Sequence, residues 1–392
     1  MASRWHDPPR LRTVEDDEDE RHATWLELFF DLVFVVAIAQ LAEGLADDPS
    51  VHGFLVFAGF FVAVWWAWVG YTFYADRFDT DDPPHRILMI AGMFAVAVLA
   101  SVIPDAFHGE TASFALAYAL VRAVVVLLNG RAWWHLPAAR PLLDVYIPAF
   151  TASILLFLVS AAVEPPYRYA LWAVALTIDL GAPLVSHARI RKVPIHASHI
   201  PERVGLLTII VFGESVLAVV VGTTTVSWGL ESGAAATLGF AIAGTLWWIY
   251  FDHVDSSIVK RTIAAGQTYL YAHLPLLVGL AALGAGVKLG IKSTQETGLT
   301  GEVSWLIGGG VALFMASVAV LHLVTTRSGR DVDVWLRVGT ALLALGLGAA
   351  GQQIGVVPLL AVLAAALAGQ IALGLARRER PAGLDTGGIE IG

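Results

Sequence analysis

The chain has 392 residues, 57% hydrophobic and 15% charged, with a mean hydropathy of +0.70 and a formal net charge of −9. No soluble domain of this length has that balance, so the composition indicates a polytopic membrane protein. The absence of cysteine excludes disulfides, thiolate metal sites, iron–sulfur clusters and cysteine nucleophiles.

Residues 1–23 read as a cytoplasmic acidic tail. Much of the net charge sits there, in Glu15-Asp16-Asp17-Glu18-Asp19-Glu20, and so says little about function. No n-region and cleavage site precede the first apolar stretch, which is therefore expected to be retained. Runs of ~20 apolar residues, read as spanning helices, predict twelve spans. Six fall in a first repeat, 24–190, at about 24–45, 52–75, 86–103, 112–131, 145–163 and 167–187. Six fall in a second, 191–376, at about 204–222, 234–251, 268–288, 304–324, 334–352 and 356–376. Residues 377–392 form a C-terminal tail. The fold class expected is thus an all-α membrane protein of two like-oriented six-helix repeats.

The repeat rests on matched pairs. Glu20-Arg21 recurs as Glu202-Arg203 and Trp65-Trp66 as Trp247-Trp248, both at an offset of 182, and Asp144-Val145-Tyr146 meets Asp333-Val334-Trp335 at 189. Each Glu-Arg pair precedes an apolar run carrying one carboxylate, Asp31 in the first and Glu214 in the second. An even number of helices per copy gives both halves one topology, related by an axis along the membrane normal. With the N-terminus inside, nineteen Lys and Arg fall on the inner side, and Arg168, Lys288 and Lys292 on the outer. The positive-inside rule then places both termini in the cytoplasm.

In the first span Glu27 and Asp31 lie four residues apart and so on one face of a helix. Asp31 lies roughly 10 Å into the bilayer at 1.5 Å per residue. A charge at that depth calls for a partner, a wet cavity or a proton. Counted from Arg21 and Arg203, Asp31 and Glu214 stand at nearly equal depths, so the two are expected to face each other across the axis as a proton or cation site. Arg122, ten residues into the fourth span, needs a carboxylate, with Asp31 and Asp179 at compatible depth. Arg21, Glu202 and Arg203 read as anchors at the starts of the first and seventh helices, or as partners of the acidic ends of neighbouring helices that hold the inner gate. With Arg122 and Asp179 they make up the structural ion pairs expected.

His273, beside Pro275 and between tyrosines, is a candidate proton relay. His187, His196, His199 and His253, with Asp252 and Asp255, match no established zinc spacing, and no metal or cofactor is expected. Trp25, Trp133, Trp134 and Trp305 fit an interfacial aromatic belt. The segments from Trp65 to Asp76 and from Trp247 to Asp252 end in an acid and suit either helix packing or an aromatic wall.

The run Trp25-Leu26-Glu27-Leu28-Phe29-Phe30-Asp31 resembles the signature of the bacterial low temperature requirement A (LtrA) family. The resemblance continues through Glu202-Arg203, Gly205-Leu206, Thr208-Ile209-Ile210 and Gly213-Glu214-Ser215. It departs at Val204, where the family pattern has an aromatic residue. The resemblance implies a protein of the bacterial cytoplasmic membrane linked to growth in the cold and brings no reaction with it. A fainter similarity, of architecture alone, is to lysosomal-type potassium channels built of two six-helix repeats.

The expected function is a transporter or channel for a small solute or cation, with the lipid bilayer as the other partner and no nucleic acid involved. There is no P-loop to suggest ATP hydrolysis. An embedded enzyme acting on a lipid would instead need the inner histidines and aspartates to converge. A non-catalytic membrane stress protein predicts that substituting the acids alters stability alone.

Overall fold

The computed structural model describes residues 9–11, 23–79, 82–191, 193, 199–254, 262–295, 298–326, 328 and 331–378. Helices dominate because the bilayer offers no hydrogen bonds to the backbone, so each span must satisfy its own amides. The first half comprises α1 (Trp25–Asp47), α2 (Val51–Arg77), α3 (Pro83–Phe107), α4 (Thr111–His135), α5 (Arg140–Ala161) and α6 (Tyr167–Val185), followed by a short α7 (His187–Ile190). The second comprises α8 (His199–Thr224), α9 (Leu230–His253), α10 (Ile263–Ser293), α11 (Gly301–Thr326), α12 (Val332–Ile354) and α13 (Val356–Arg378). All except α7 are long and apolar enough to cross a membrane, which makes twelve candidate spans among the described residues.

Local chemistry sets several helix starts. Ser50, Asp82 and Thr262 accept N–H bonds from Gly53, His85 and Ala265 at 3.1 Å, which caps α2, α3 and α10. Pro83 and Pro84 occupy the first turn of α3, where no intrahelical N–H is needed. Two further elements lie outside the helices. Arg10–Leu11 (β1) pairs antiparallel with Phe78–Asp79 (β2), so part of the segment read as a solvated tail is tied to the end of α2.

Helix α8 starts at His199, five residues before the apolar run that predicted it, and α10 extends past both of its predicted ends. The predicted apolar run begins after the charged pair Glu202-Arg203, whereas Arg203 lies inside the helix and is 1% exposed. Of the three cations assigned to outer loops, Lys288 and Lys292 lie within α10. Arg168 is buried at the start of α6, donating through Nε to the carbonyls of Ser160 (3.1 Å) and Val163 (3.0 Å) and through Nη1 to Thr111 Oγ1 (2.7 Å).

Within each half the first helix packs on the third, and the third, fourth and fifth pack in sequence. The halves meet where α1 and α2 contact α8 and α10. Their interiors differ. The first is filled with rings: Phe60 lies 4.5 Å from Phe114, and Tyr118 4.4 Å from Phe157, between ring centres. Trp65 and Trp66 are buried there, whereas Trp247 and Trp248 are exposed on the surface that faces lipid, so the matched pairs serve different ends.

The second interior is built on backbone contact. A Cβ at Gly310 of α11 would lie 2.6 Å from the Gly279 carbonyl oxygen of α10, and one at Gly279 would lie 2.7 Å from the Gly310 oxygen. Only glycine permits that approach. Gly310→Ala therefore destabilises the protein by about 1–3 kcal/mol through overpacking, read as a lower unfolding midpoint in detergent. The control Gly309→Ala, on the same helix with open space around it, leaves the midpoint unchanged.

Candidate functional site

The first turn of α1 is organised by Thr24 and Glu27. Thr24 Oγ1 accepts the Glu27 N–H at 3.3 Å, and Glu27 Oε2 accepts the Thr24 N–H at 2.8 Å, closing a capping box. The box fixes the Glu27 side chain and leaves Oε1 turned toward α8. There it lies 3.4 Å from Arg203 Nη1 and 3.5 Å from His199 Nε2. Glu202 reaches the other way and accepts the Ala23 N–H at 3.1 Å, joining the entries of α1 and α8.

One turn further along α1, the Asp31 carboxylate receives three donors. Arg203 Nη2 lies 2.6 Å from Oδ1 and Nε 3.2 Å from Oδ2, a two-pronged pair, and Trp68 Nε1 of α2 donates to Oδ1 at 2.7 Å. Charge-assisted, bidentate bonds of this kind are what offsets the cost of removing two charges from water. His199 extends the cluster to α2, with Nδ1 3.1 Å from Asp76 Oδ1. The imidazole thus lies between two carboxylates, Glu27 and Asp76, and can donate to both only as imidazolium. Asp31, Asp76, His199, Arg203 and Glu27 are all at most 3% exposed.

Arg203 thus sits at the centre of a buried ion-pair cluster. Arg21 lies outside the described residues.

The expected meeting of Asp31 and Glu214 does not occur. Glu214 is eleven residues beyond Arg203 on one helix, about 16 Å along the axis, while Arg203 touches Asp31. Depths counted from Arg21 and Arg203 come out equal only if the two arginines are equivalent starting points, whereas Arg203 lies at the level of Asp31 itself. Glu214 instead lines a cavity of about 230 Å³ between α1, α8 and α10, together with Gln40, Glu43, Ser215 and Lys288. Lys288 and Glu43 form an ion pair across it, between the halves. Between the two polar levels the buried residues of α1 and α8 are mostly apolar: Phe34, Ile38 and Leu41 on one, Leu207 and Val211 on the other.

Arg122 pairs with Asp179, the other acid at compatible depth, at 3.0 Å, and both are fully buried. Asp179 also accepts from Ser153 Oγ at 3.0 Å, and the guanidinium lies 4.4 Å over the Phe150 ring. His273 is fully buried; its Nδ1 is 2.6 Å from the Tyr269 carbonyl oxygen and its Nε2 2.8 Å from the Tyr250 hydroxyl. One end of that ring meets a backbone carbonyl, which takes no proton. The geometry ties α9 to α10 rather than forming a relay.

A second cavity, about 370 Å³, opens between the halves at the end where α1 and α8 begin. Trp66, Phe73 and Arg77 of α2, Tyr146 and Phe150 of α5, Ile200 of α8 and Tyr271 of α10 are among its lining residues. Asp31 lines neither cavity.

His196, Asp255 and the His253 side chain lie outside the described residues. Among those described, His322, Asp331 and Asp333 place ligand atoms within 4.8 Å of one another. These groups are already engaged: Asp331 caps α12 and lies 3.0 Å from His322, while Asp333 binds Arg377 at 2.7 Å. Although partial burial opposes it, the Asp333 N–H and the neighbouring His322 hold the Asp331 carboxyl below its ordinary range.

Glu43 escaped the sequence reading, and Trp68, Asp76, His199 and Lys288 were noted there for other roles. Only Thr24-x-x-Glu27 carried a local signal, that of a capping box. The remaining contacts join positions more than a hundred residues apart, apart from Trp68 with Asp31.

The family model described as bacterial low temperature requirement A protein (LtrA) matches residues 22–371. The chain belongs to the LtrA family. It is 31% identical over 331 residues to an uncharacterized protein of Rhizobium meliloti (strain 1021), an alignment that covers 80% of each chain. The two LtrA signature runs of this chain thus have a structural account here: the Glu27 and Asp31 of one meet the Arg203 of the other in a single buried cluster.

Proposed function

We propose that this LtrA protein moves a small solute or cation across the bacterial cytoplasmic membrane, between two like-oriented halves, with proton or ion coupling at the α1–α8 cluster. The observation that carries the reading is where the charges lie. Glu27, Asp31, Trp68 and Asp76 come from the first half and His199 and Arg203 from the second, all sealed inside the membrane-spanning region. Any movement of one half against the other separates Asp31 from Arg203 and alters what faces His199. Protonation and relative motion are then linked, as alternating access requires.

The cavities suit that scheme, one at each polar level, with apolar packing between them acting as a closed gate. The matched packing of first on third helix in each half supports the duplication. The distribution of Lys and Arg supports a cytoplasmic N-terminus, which makes the larger of the two cavities the inward-facing one.

The test is flux in liposomes containing purified protein, with proton and potassium gradients imposed separately. Asp31→Asn and Glu27→Gln keep the shape of the cluster and remove a charge. Each is expected to cut coupled flux by about tenfold or more, the scale of one lost charge-assisted contact, while still eluting as folded protein. Glu214→Gln is expected to cause a smaller loss. Wild-type flux that is absent under both gradients and with organic solutes, or that is unchanged in Asp31→Asn, would sink the proposal.

A further inference from the structure

The cavity between α2, α5, α8 and α10 has a composition that points to a class of ligand. Six rings line it, those of Trp66, Phe73, Tyr74, Tyr146, Phe150 and Tyr271, and its charged groups are Arg77 and Arg191, with no carboxylate among the described lining residues. Asn129 and Gln267 supply amides. The Arg77 guanidinium lies 5.1 Å from the centre of the Phe73 ring and 5.7 Å from that of Tyr146, with no acid partner among the described residues.

Two donors in this wall, Arg77 Nε and Trp66 Nε1, meet no acceptor among the described residues, although the side chains are only 6% and 2% exposed. A buried donor without an acceptor is unfavourable, and a guanidinium is the group best matched to a planar anion. The acids of the α1–α8 cluster do not line the cavity: Glu27 and Asp31 are turned to Arg203, and Asp76 to His199.

We infer that this cavity binds a small organic anion with a flat apolar body, such as an aromatic carboxylate, its ring among the aromatic side chains and its charged end toward Arg77. The volume of about 370 Å³ lies in the range of small-molecule sites. This deepens the transport reading by naming the solute class and rests on that reading only for the step of translocation.

The experiment is calorimetric titration of the purified full chain in neutral detergent, with three probes that share one ring: indole-3-acetate, indole-3-acetamide and tryptamine. The anion is expected to bind about tenfold tighter than the amide, the scale of one charge-assisted bond, and the cation most weakly. Arg77→Gln removes the preference for the anion and leaves the affinity for the amide. Ile263→Trp, on the first residue of α10 and in the cavity wall, fills the space and abolishes binding of both; it provides the test if Arg77→Gln does not fold. Equal affinity for all three probes, preference for tryptamine, no saturable binding, or anion binding unaffected by either variant would overturn the inference. Binding in micelles needs no gradient, so the two readings separate. Saturable anion binding without flux in liposomes removes transport and keeps the site, and flux without anion binding removes the site alone.

Discussion

Replacing Arg203 with methionine is expected to lower the unfolding free energy by about 3–5 kcal/mol, the usual consequence of removing one partner from a buried ion pair. The loss arises on the acid side. Asp31 would keep only the Trp68 N–H, and Glu27 would lose its nearest described cation, so carboxylates 0% and 3% exposed would be left in a low-dielectric interior. Adding Asp31→Asn to Arg203→Met is expected to recover much of the loss, because a neutral amide can still accept from Trp68 and no longer needs a counter-ion. A double-mutant cycle on unfolding in mixed detergent micelles measures the coupling directly. Additive effects of the two substitutions would show that the contact carries no energy and that α1 and α8 are held together by apolar packing alone.

Arg122→Met is expected to cost a comparable 3–5 kcal/mol, for the same reason applied to Asp179. Lysine should not rescue it. The guanidinium lies flat over Phe150 while it reaches Asp179, and an ammonium can do only one of these. The decisive variant is Arg122→Met with Asp179→Asn. If the pair is an anchor within the first half, this variant folds near wild-type stability and keeps its flux in liposomes. If Arg122 instead takes part in holding the solute, the variant folds but loses anion binding and flux. The structure favours the anchor, since both groups are fully buried, Asp179 is further held by Ser153, and neither lines the nearby cavity. That no similar pair stands at the equivalent place among the described residues of the predicted second half fits the different ways the two interiors are packed.

Much of this was legible before any coordinates. Twelve helices follow from hydropathy, because a chain that must satisfy its backbone in lipid has few other choices. Membership of the LtrA family could be recognised from two short runs. The need of Arg122 for a carboxylate followed from depth alone, and the choice was narrowed to Asp31 and Asp179. What failed was the equivalence drawn between Arg21 and Arg203. It placed Arg203 at a helix start, when its guanidinium pairs with Asp31, and the error passed into the depth at which Glu214 was placed.

Spacing along one helix is a local quantity, and composition with spacing was enough to determine the class of protein, the number of spans and the shared face of Glu27 and Asp31. Which charge meets which is not local. Asp31 and Arg203 are 172 residues apart and His199 and Asp76 are 123 apart, and their pairing depends on how far α8 slides along α1 when the halves close on each other. That slide is set by the packing of many apolar side chains at once, and changing it by three turns would bring Glu214 to the level of Asp31. Only the tertiary structure could decide that Arg203 holds the acid in the first helix and that the cavity beside it is lined with cations and rings.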